Sequence, residues 1–272
     1  MAKLTPILVA ALVTIILLPG CGGVGPARTV KAQNRLDHLH DRIASPRVLQ
    51  PVEDGLVKIA PHIFVDREVG PEYVSDLLNL VDKARVRVDY FYGELLSRPD
   101  ILFCSSMACY RKFGGVGLGY TRGNTILISP RGWRAAIISH ELSHVELAAR
   151  LGDMPDILDK VPQWFDEGMA VMVSMAHEFS DEAWEEACRK GDGSPQLSEL
   201  ASMADWNRVT GVNGVNMQLS YGTARQEVAR WYAAAGKKGL QQLIHALKAR
   251  QEFHTAYQGA EHAATVLLAT RD

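Results

Sequence analysis

The strongest constraint on the fold of this chain is the run His140-Glu141-Leu142-Ser143-His144. Residues four apart lie on one face of an α-helix with Cβ atoms roughly 5 to 6 Å apart, so both imidazoles can reach a single metal ion. Glu141 lies about 100° round the helix, from where its carboxylate can touch a metal-bound water as a general base. The run therefore predicts a helix that carries a zinc site.

The residues around this run favour a helix from about 135 to 151. Good helix formers fill most of these positions, and Gly152 followed by Pro155 ends the pattern. Uncharged side chains surround the histidines, with Glu146 as the exception. The alternative is a surface helix that carries His and Glu without binding a metal.

A catalytic zinc site needs a third protein ligand and an open fourth position. Leu147 and Arg150 stand where the metzincin pattern has Gly and His, so that arrangement is excluded. Glu167, on a second predicted helix that begins near Pro162, lies far enough after His144 for the chain to turn and return. The alternative for Glu167 is a solvated charge in the first turn of that helix.

The chain resembles the gluzincin metallopeptidases, especially the small peptidase MA-like families related to the large zinc aminopeptidases, in two motifs: His140-Glu141-x-x-His144 and Pro162-x-Trp164-x-x-Glu167-Gly168-x-Ala170. The resemblance is strongest from about residue 119 to residue 172. It implies that His140, His144 and Glu167 bind one Zn²⁺ ion and that Glu141 is the general base.

Two departures from the family pattern bear on the activity. The Gly-x-Met-Glu-Asn element with which zinc aminopeptidases hold a substrate amino terminus is absent from the sequence. Val171 stands where thermolysin-type enzymes carry Asp. The resemblance therefore implies a zinc-dependent peptidase acting on a peptide or protein substrate, without support for aminopeptidase action.

The resemblance also implies a mechanism. Zinc is expected to acidify a bound water, while Glu141 takes its proton and passes it to the leaving amine. Tyr221 is the candidate hydroxyl for the oxyanion, because related enzymes carry a Tyr downstream of the ligand Glu, and simple packing is its alternative. Asp166 is a candidate to hydrogen-bond a ligand imidazole. The alternative function is a lipid-tethered binding or assembly protein of this fold without peptidase activity.

The N-terminus predicts export and lipid anchoring. Lys3 precedes a mostly apolar run from 4 to 18, which leads into Leu18-Pro19-Gly20-Cys21. We interpret 1–20 as a signal peptide, Cys21 as a lipidated residue, and 21–35 as a flexible tether to a membrane. About fifteen apolar residues are fewer than the roughly twenty that an uncleaved membrane anchor needs. Gly22 after the cysteine favours the outer membrane, facing the periplasm, in a bacterium with two membranes.

The cysteines and the overall charge narrow the environment and the partners. Cys104 and Cys109 are spaced to close a small disulfide loop worth roughly 2 kcal/mol in an oxidising compartment, with two buried thiols as the alternative. Cys188 is expected as a half-buried thiol on a helix from 181 to 190. A net charge of −2 without a basic run argues against a nucleic-acid surface.

The order of elements predicts an α+β, zincin-like fold in one peptidase domain, 36–272. An α/β lobe, 36–152, has strands at 62–66, 101–103 and 125–129 and an amphipathic helix after Pro71. A mainly helical lobe, 153–272, includes helices at 221–235 and 237–249 around Gly236. The resemblance places the strand 125–129 at a sheet edge that binds extended substrate. The glycine-rich 114–120 is either its flexible approach or a hairpin without a substrate role.

Overall fold

The structure is a computed structural model that describes residues 51–153, 157, 159–189, 193–211, 214 and 216–269, without the side chains of 264–269. All described residues belong to one compact unit. Cys21, the signal peptide 1–20 and the tether 21–35 lie outside the described residues. Over the parts of the chain that are described, no helix has the length and apolar character to cross a membrane.

The described strands form one mixed sheet in the order β1-β2-β3-β5-β4. Their bounds are Val57–Ala60 (β1), Ile63–Val65 (β2), Asp100–Phe103 (β3), Gly119–Arg122 (β4) and Thr125–Ile128 (β5). The central strands β2, β3 and β5 run parallel, and β1 and β4 pair antiparallel at the two edges. Together with the helices, this sheet confirms the predicted α+β class.

The expected edge strand was wrong. β5, which leads into the helix with the paired histidines, lies between β3 and β4, so it is internal. The edge on this side of the sheet is β4, which pairs with β5 through a tight turn at Gly123 and Asn124, with Gly123 at φ 55°. A glycine-rich segment has little strand propensity of its own, so this strand depends on its pairing with β5.

Helices make up the rest of the described elements, apart from short 3₁₀ turns. Their bounds are Val74–Tyr92 (α1), Met107–Lys112 (α2), Ala135–Leu151 (α3), Gln163–Ser174 (α4), Asp181–Ala187 (α5), Met203–Thr210 (α6), Met217–Lys248 (α7) and Phe253–Ala269 (α8). The pattern ending at Gly152 predicted α3 correctly, and Gly152 follows its last residue. Gly236 interrupts α7 with a non-helical backbone, as the sequence predicted.

Successive side chains of a strand point to opposite faces of the sheet, and both faces of this sheet are buried. One face, which includes Ile101, Ile126 and Ile128, belongs to the main core with side chains from α1, α3, α4, α7 and α8. The opposite face packs Leu102, Leu127 and Tyr120 against the smaller α2 segment. α3 is therefore enclosed by the sheet and by helices α1 and α4, which contact it directly.

The cysteines are all buried or partly buried within the described part of the chain. Cys104 and Cys109 form a disulfide that ties the end of β3 to α2. Cys188 was expected to be half-buried on a helix reaching 190, but α5 ends at Ala187 and Cys188 follows it, fully buried. The helix ends earlier than expected because the chain turns at Cys188 and Arg189, where Arg189 adopts a φ of 50°.

Glu146, the charged exception on α3, is completely buried. Its carboxylate accepts hydrogen bonds from the backbone N–H groups of Leu96 and Ser97, both at 3.0 Å, and pairs with Arg150 Nη2 at 2.7 Å. Leu96 and Ser97 belong to the segment between α1 and β3. Glu146 therefore fastens that segment to the helix with the paired histidines.

We expect Glu146→Ala to lower the free energy of unfolding by about 3 to 5 kcal/mol. The substitution removes the carboxylate partner of a largely buried guanidinium and the acceptor of two backbone amides. Urea denaturation measures the change, with the exposed Glu185→Ala as a control that should stay within about 0.5 kcal/mol. Equal stability of the two variants would show that Glu146 does not fasten the segment.

Candidate metal centre

The candidate metal centre lies where α3 faces α4. His140 and His144 stand one turn apart on α3, and Glu167 stands near the start of α4. Their ligand atoms form one group of the kind that can hold a metal ion. The structure thus brings together the three side chains that the sequence predicted as ligands, two from α3 and one from α4.

Two of the three distances within this group are those around a tetrahedral ion, and the third is longer by about 0.5 Å. The two Nε2 atoms of His140 and His144 are 3.2 Å apart, and Glu167 Oε2 lies 3.4 Å and 3.8 Å from them respectively. A tetrahedral zinc ion with bonds of about 2.0 to 2.1 Å separates its ligand atoms by about 3.3 Å. Two imidazole nitrogens and one carboxylate oxygen are also a donor set that zinc prefers, so the residues fit this metal.

The carboxylate of Glu167 is oriented by its own helix. Gln163, one turn earlier on α4, donates a hydrogen bond from Nε2 to Glu167 Oε1 at 3.0 Å. The other oxygen, Oε2, is then the one that faces the two imidazoles. Gln163 was not identified from the sequence, although its position four residues before Glu167 is the spacing at which helical side chains meet.

Gly168, which follows the proposed ligand Glu167, allows α4 and α7 to pack closely. A Cβ atom at this position would lie 2.6 Å from both the carbonyl oxygen of Ala224 and Val228 Cγ2 on α7. The Glu-Gly pair in the sequence therefore joins a ligand candidate to a helix contact that only glycine permits.

Asp166 holds one of the ligand imidazoles. Its Oδ1 accepts a hydrogen bond from His144 Nδ1 at 2.9 Å, and both side chains are buried. A proton on Nδ1 leaves the lone pair of Nε2 pointing at the ligand group, which is the tautomer that binds a metal. The hydrogen bond to a ligand imidazole for which Asp166 was a candidate is therefore present in the structure.

The centre concentrates negative charge around a buried imidazole. Burial by itself lowers the pKa of His144, but the carboxylates of Asp166, Glu167 and Glu141 outweigh burial and raise that pKa from 6.5 to about 10. The same carboxylates favour any cation at this position. The electrostatics of the site therefore agree with the binding of a divalent metal.

We expect Asp166→Asn to weaken zinc binding by about 10- to 100-fold, because an amide holds the imidazole less strongly and does not enforce the Nδ1–H tautomer. Competition with a chromophoric zinc chelator measures the affinity. Asp82→Asn, which changes an exposed carboxylate on α1, is the matched control. Wild-type affinity in Asp166→Asn would mean that the Asp166 contact does not support the metal.

Glu141 lies beside the ligand group and against the edge of the sheet. Its side chain is buried, and its Oε2 accepts a hydrogen bond from Thr121 Oγ1 on β4 at 2.7 Å. Gly119 on the same strand approaches the Glu141 side chain closely. Neither contact was predicted from the sequence, because a glycine-rich segment gives no periodic signal that would place Thr121.

Tyr221 lies close to the ligand group, but not at the start of its helix as the sequence suggested. α7 begins at Met217, so Tyr221 stands in its second turn. The centroid of its ring is 6.2 Å from that of His140, and it packs against Phe179 and Trp206 at 5.1 Å and 4.9 Å. The catalytic role of Tyr221 stays a prediction, and sequence reasoning missed its two aromatic neighbours.

Of the three proposed ligands, His140 is the most exposed. The His140 side chain is 17% exposed, whereas that of Glu167 is 9% exposed.

Comparison of the chain with models of protein families, with curated proteins and with solved structures finds no match. Fold and site together define an α+β protein with a partly buried group of two imidazoles and one carboxylate that can bind a metal.

Proposed function

We propose that this chain is a zinc-dependent peptidase with a zincin-like fold of the gluzincin type. The observation that carries the proposal is the convergence of His140, His144 and Glu167, with separations of 3.2 to 3.8 Å between their ligand atoms. The buried carboxylate of Glu141 follows the first of these ligands directly in the chain. A site with three protein ligands leaves a fourth position for water or substrate, which is the arrangement of a catalytic rather than a structural zinc site.

The residues of the chain divide the chemistry among them. Zinc bound there would supply a Lewis acid that acidifies a water molecule and polarises the scissile carbonyl. Glu141 accepts the proton of the attacking water and delivers it to the leaving amine. Asp166 keeps His144 in the tautomer that binds the metal. Tyr221 packs against Phe179 and Trp206 beside His140, and its hydroxyl donates a hydrogen bond to the developing oxyanion.

The proposed enzyme acts outside the cytoplasm while anchored to a bacterial membrane through a lipid on Cys21, at the outer membrane and facing the periplasm. The sequence before Cys21 supports export and lipidation. The Cys104–Cys109 disulfide supports an oxidising compartment, since such bonds persist mainly in exported proteins.

Metal removal tests the proposal directly. Purified protein should contain one zinc ion per chain by elemental analysis and should cleave casein or members of a peptide library, as followed by mass spectrometry. Chelation should abolish cleavage, and added zinc should restore it where magnesium does not, because the site offers two imidazoles. A protein that holds zinc and cleaves nothing in the library would instead support a binding or assembly function.

A further inference from the structure

The edge strand β4 presents two of its residues to α3. Side chains alternate along a strand, and Tyr120 packs on the face of the sheet that α2 covers, away from α3. Gly119 and Thr121 therefore face the helix with the paired histidines, and both contact Glu141 there. β4 thus meets α3 at the one glutamate to which the proposed mechanism assigns the proton transfer.

Thr121 holds one oxygen of the Glu141 carboxylate. The Thr121 hydroxyl lies 2.7 Å from Glu141 Oε2 and 3.1 Å from the Glu141 carbonyl oxygen. A hydroxyl has one proton, and its bond to a charged carboxylate is the shorter and stronger of the two. This bond restrains Oε2, while Oε1 lies on the side of the carboxylate that faces Gly119.

Gly119 provides the space in which the carboxylate lies. A Cβ atom on Gly119 would stand 2.6 Å from Glu141 Cγ and 2.7 Å from Glu141 Oε1, both closer than atoms can approach. The backbone of Gly119 does not adopt a positive φ, so a side chain there meets no backbone strain. Because the blocking atoms all belong to the Glu141 side chain and none to the backbone, we expect a methyl group at 119 to displace that side chain rather than the strand.

We propose that Thr121 and Gly119 are positioning residues that hold the Glu141 carboxylate in the orientation for proton transfer. The inference rests on the peptidase function proposed above. A glutamate on an exposed helix side samples several rotamers, whereas a general base must stay within hydrogen-bond reach of the proton it accepts. A displacement of about 1 Å in such a group lowers a rate by about 100-fold.

Four variants of the full chain test this role. Thr121→Val removes the hydroxyl at nearly constant shape, and Thr121→Ser retains it. Gly119→Ala adds a methyl group that overlaps the Glu141 side chain. Thr125→Val on β5 is the matched control, a Thr-to-Val change in the paired strand. We expect Thr121→Val and Gly119→Ala to lower kcat by about 10- to 100-fold with unchanged KM and zinc content. Thr121→Ser and Thr125→Val should stay within about threefold of wild type.

A crystal structure of each zinc-loaded variant gives a readout that does not depend on activity. Glu141 should adopt a different rotamer in Thr121→Val and Gly119→Ala and keep its orientation in Thr121→Ser. Two results would overturn the positioning role and leave the peptidase proposal standing. One is a carboxylate that does not move in Thr121→Val and Gly119→Ala. The other is full activity of these two variants while Glu141→Gln is inactive. A wild type without zinc-dependent cleavage would overturn the peptidase proposal, and the rotamers would then decide the positioning role alone.

Discussion

Glu141→Gln is expected to lower kcat for peptide cleavage by about 100- to 10,000-fold while zinc content stays at one ion per chain. The amide has nearly the size of the carboxylate and lies against the same strand, but it cannot accept a proton from water. The loss should therefore appear in kcat rather than in KM, because the substrate contacts are unchanged. Steady-state kinetics on a cleaved library peptide and elemental analysis measure the two quantities.

Two comparisons make this result specific to Glu141. Glu185→Gln changes an exposed glutamate on α5 and should retain wild-type kcat. Thermal unfolding should show that Glu141→Gln remains folded, since the buried amide can still bond to the Thr121 hydroxyl. Equal cleavage by wild type and Glu141→Gln would exclude Glu141 as the general base.

Glu167→Ala is expected to weaken zinc binding by more than the 10- to 100-fold assigned to Asp166→Asn, because it removes a proposed ligand rather than the support of one. After dialysis that leaves the wild type loaded, the variant should contain almost no zinc and cleave no peptide. Zinc added at about 1,000 times its dissociation constant should stabilise the wild type by about 4 kcal/mol. Thermal shift measurements with and without zinc should show no such increase for Glu167→Ala.

The matched control for this variant is Glu186→Ala, an exposed glutamate whose loss should leave zinc content and the zinc-dependent thermal shift unchanged. The order of zinc affinity should be wild type, then Asp166→Asn, then Glu167→Ala. Full zinc content in Glu167→Ala would show that the third ligand lies elsewhere, and the fit of the three ligand atoms would then have no bearing on metal binding.

Local sequence patterns predicted the elements whose formation depends on neighbouring residues. The helix with His140 and His144 follows from apolar spacing and from the glycine at its end, and the break at Gly236 follows from the same chemistry. The edge strand β4 was anticipated only as the hairpin alternative for 114–120, because glycines at 114, 115, 117 and 119 hide the alternation that indicates a strand. Its position was decided by pairing with β5.

Contacts between distant segments account for the other differences. In the sequence Glu146 is a charged exception in an apolar helix. Its partners are the backbone N–H groups of Leu96 and Ser97, which belong to a distant segment. Thr121 gave no signal in the sequence, because its role depends on how α3 lies across the sheet. The helix that contains Tyr221 begins four residues earlier than predicted, since apolar spacing locates a helix better than it locates the ends of that helix.

By itself, the sequence determined the α+β class, the helix of the paired histidines, and the identity of three side chains able to bind a metal. The histidine pair needed only spacing along one helix, whereas Glu167 was identified from its own motif and from the family resemblance. Tertiary structure decided that Glu167 reaches both imidazoles, that Asp166 holds His144, and that β4 restrains Glu141. Such contacts join segments about 20 residues or more apart, and only the packing of helices on the sheet sets their distances.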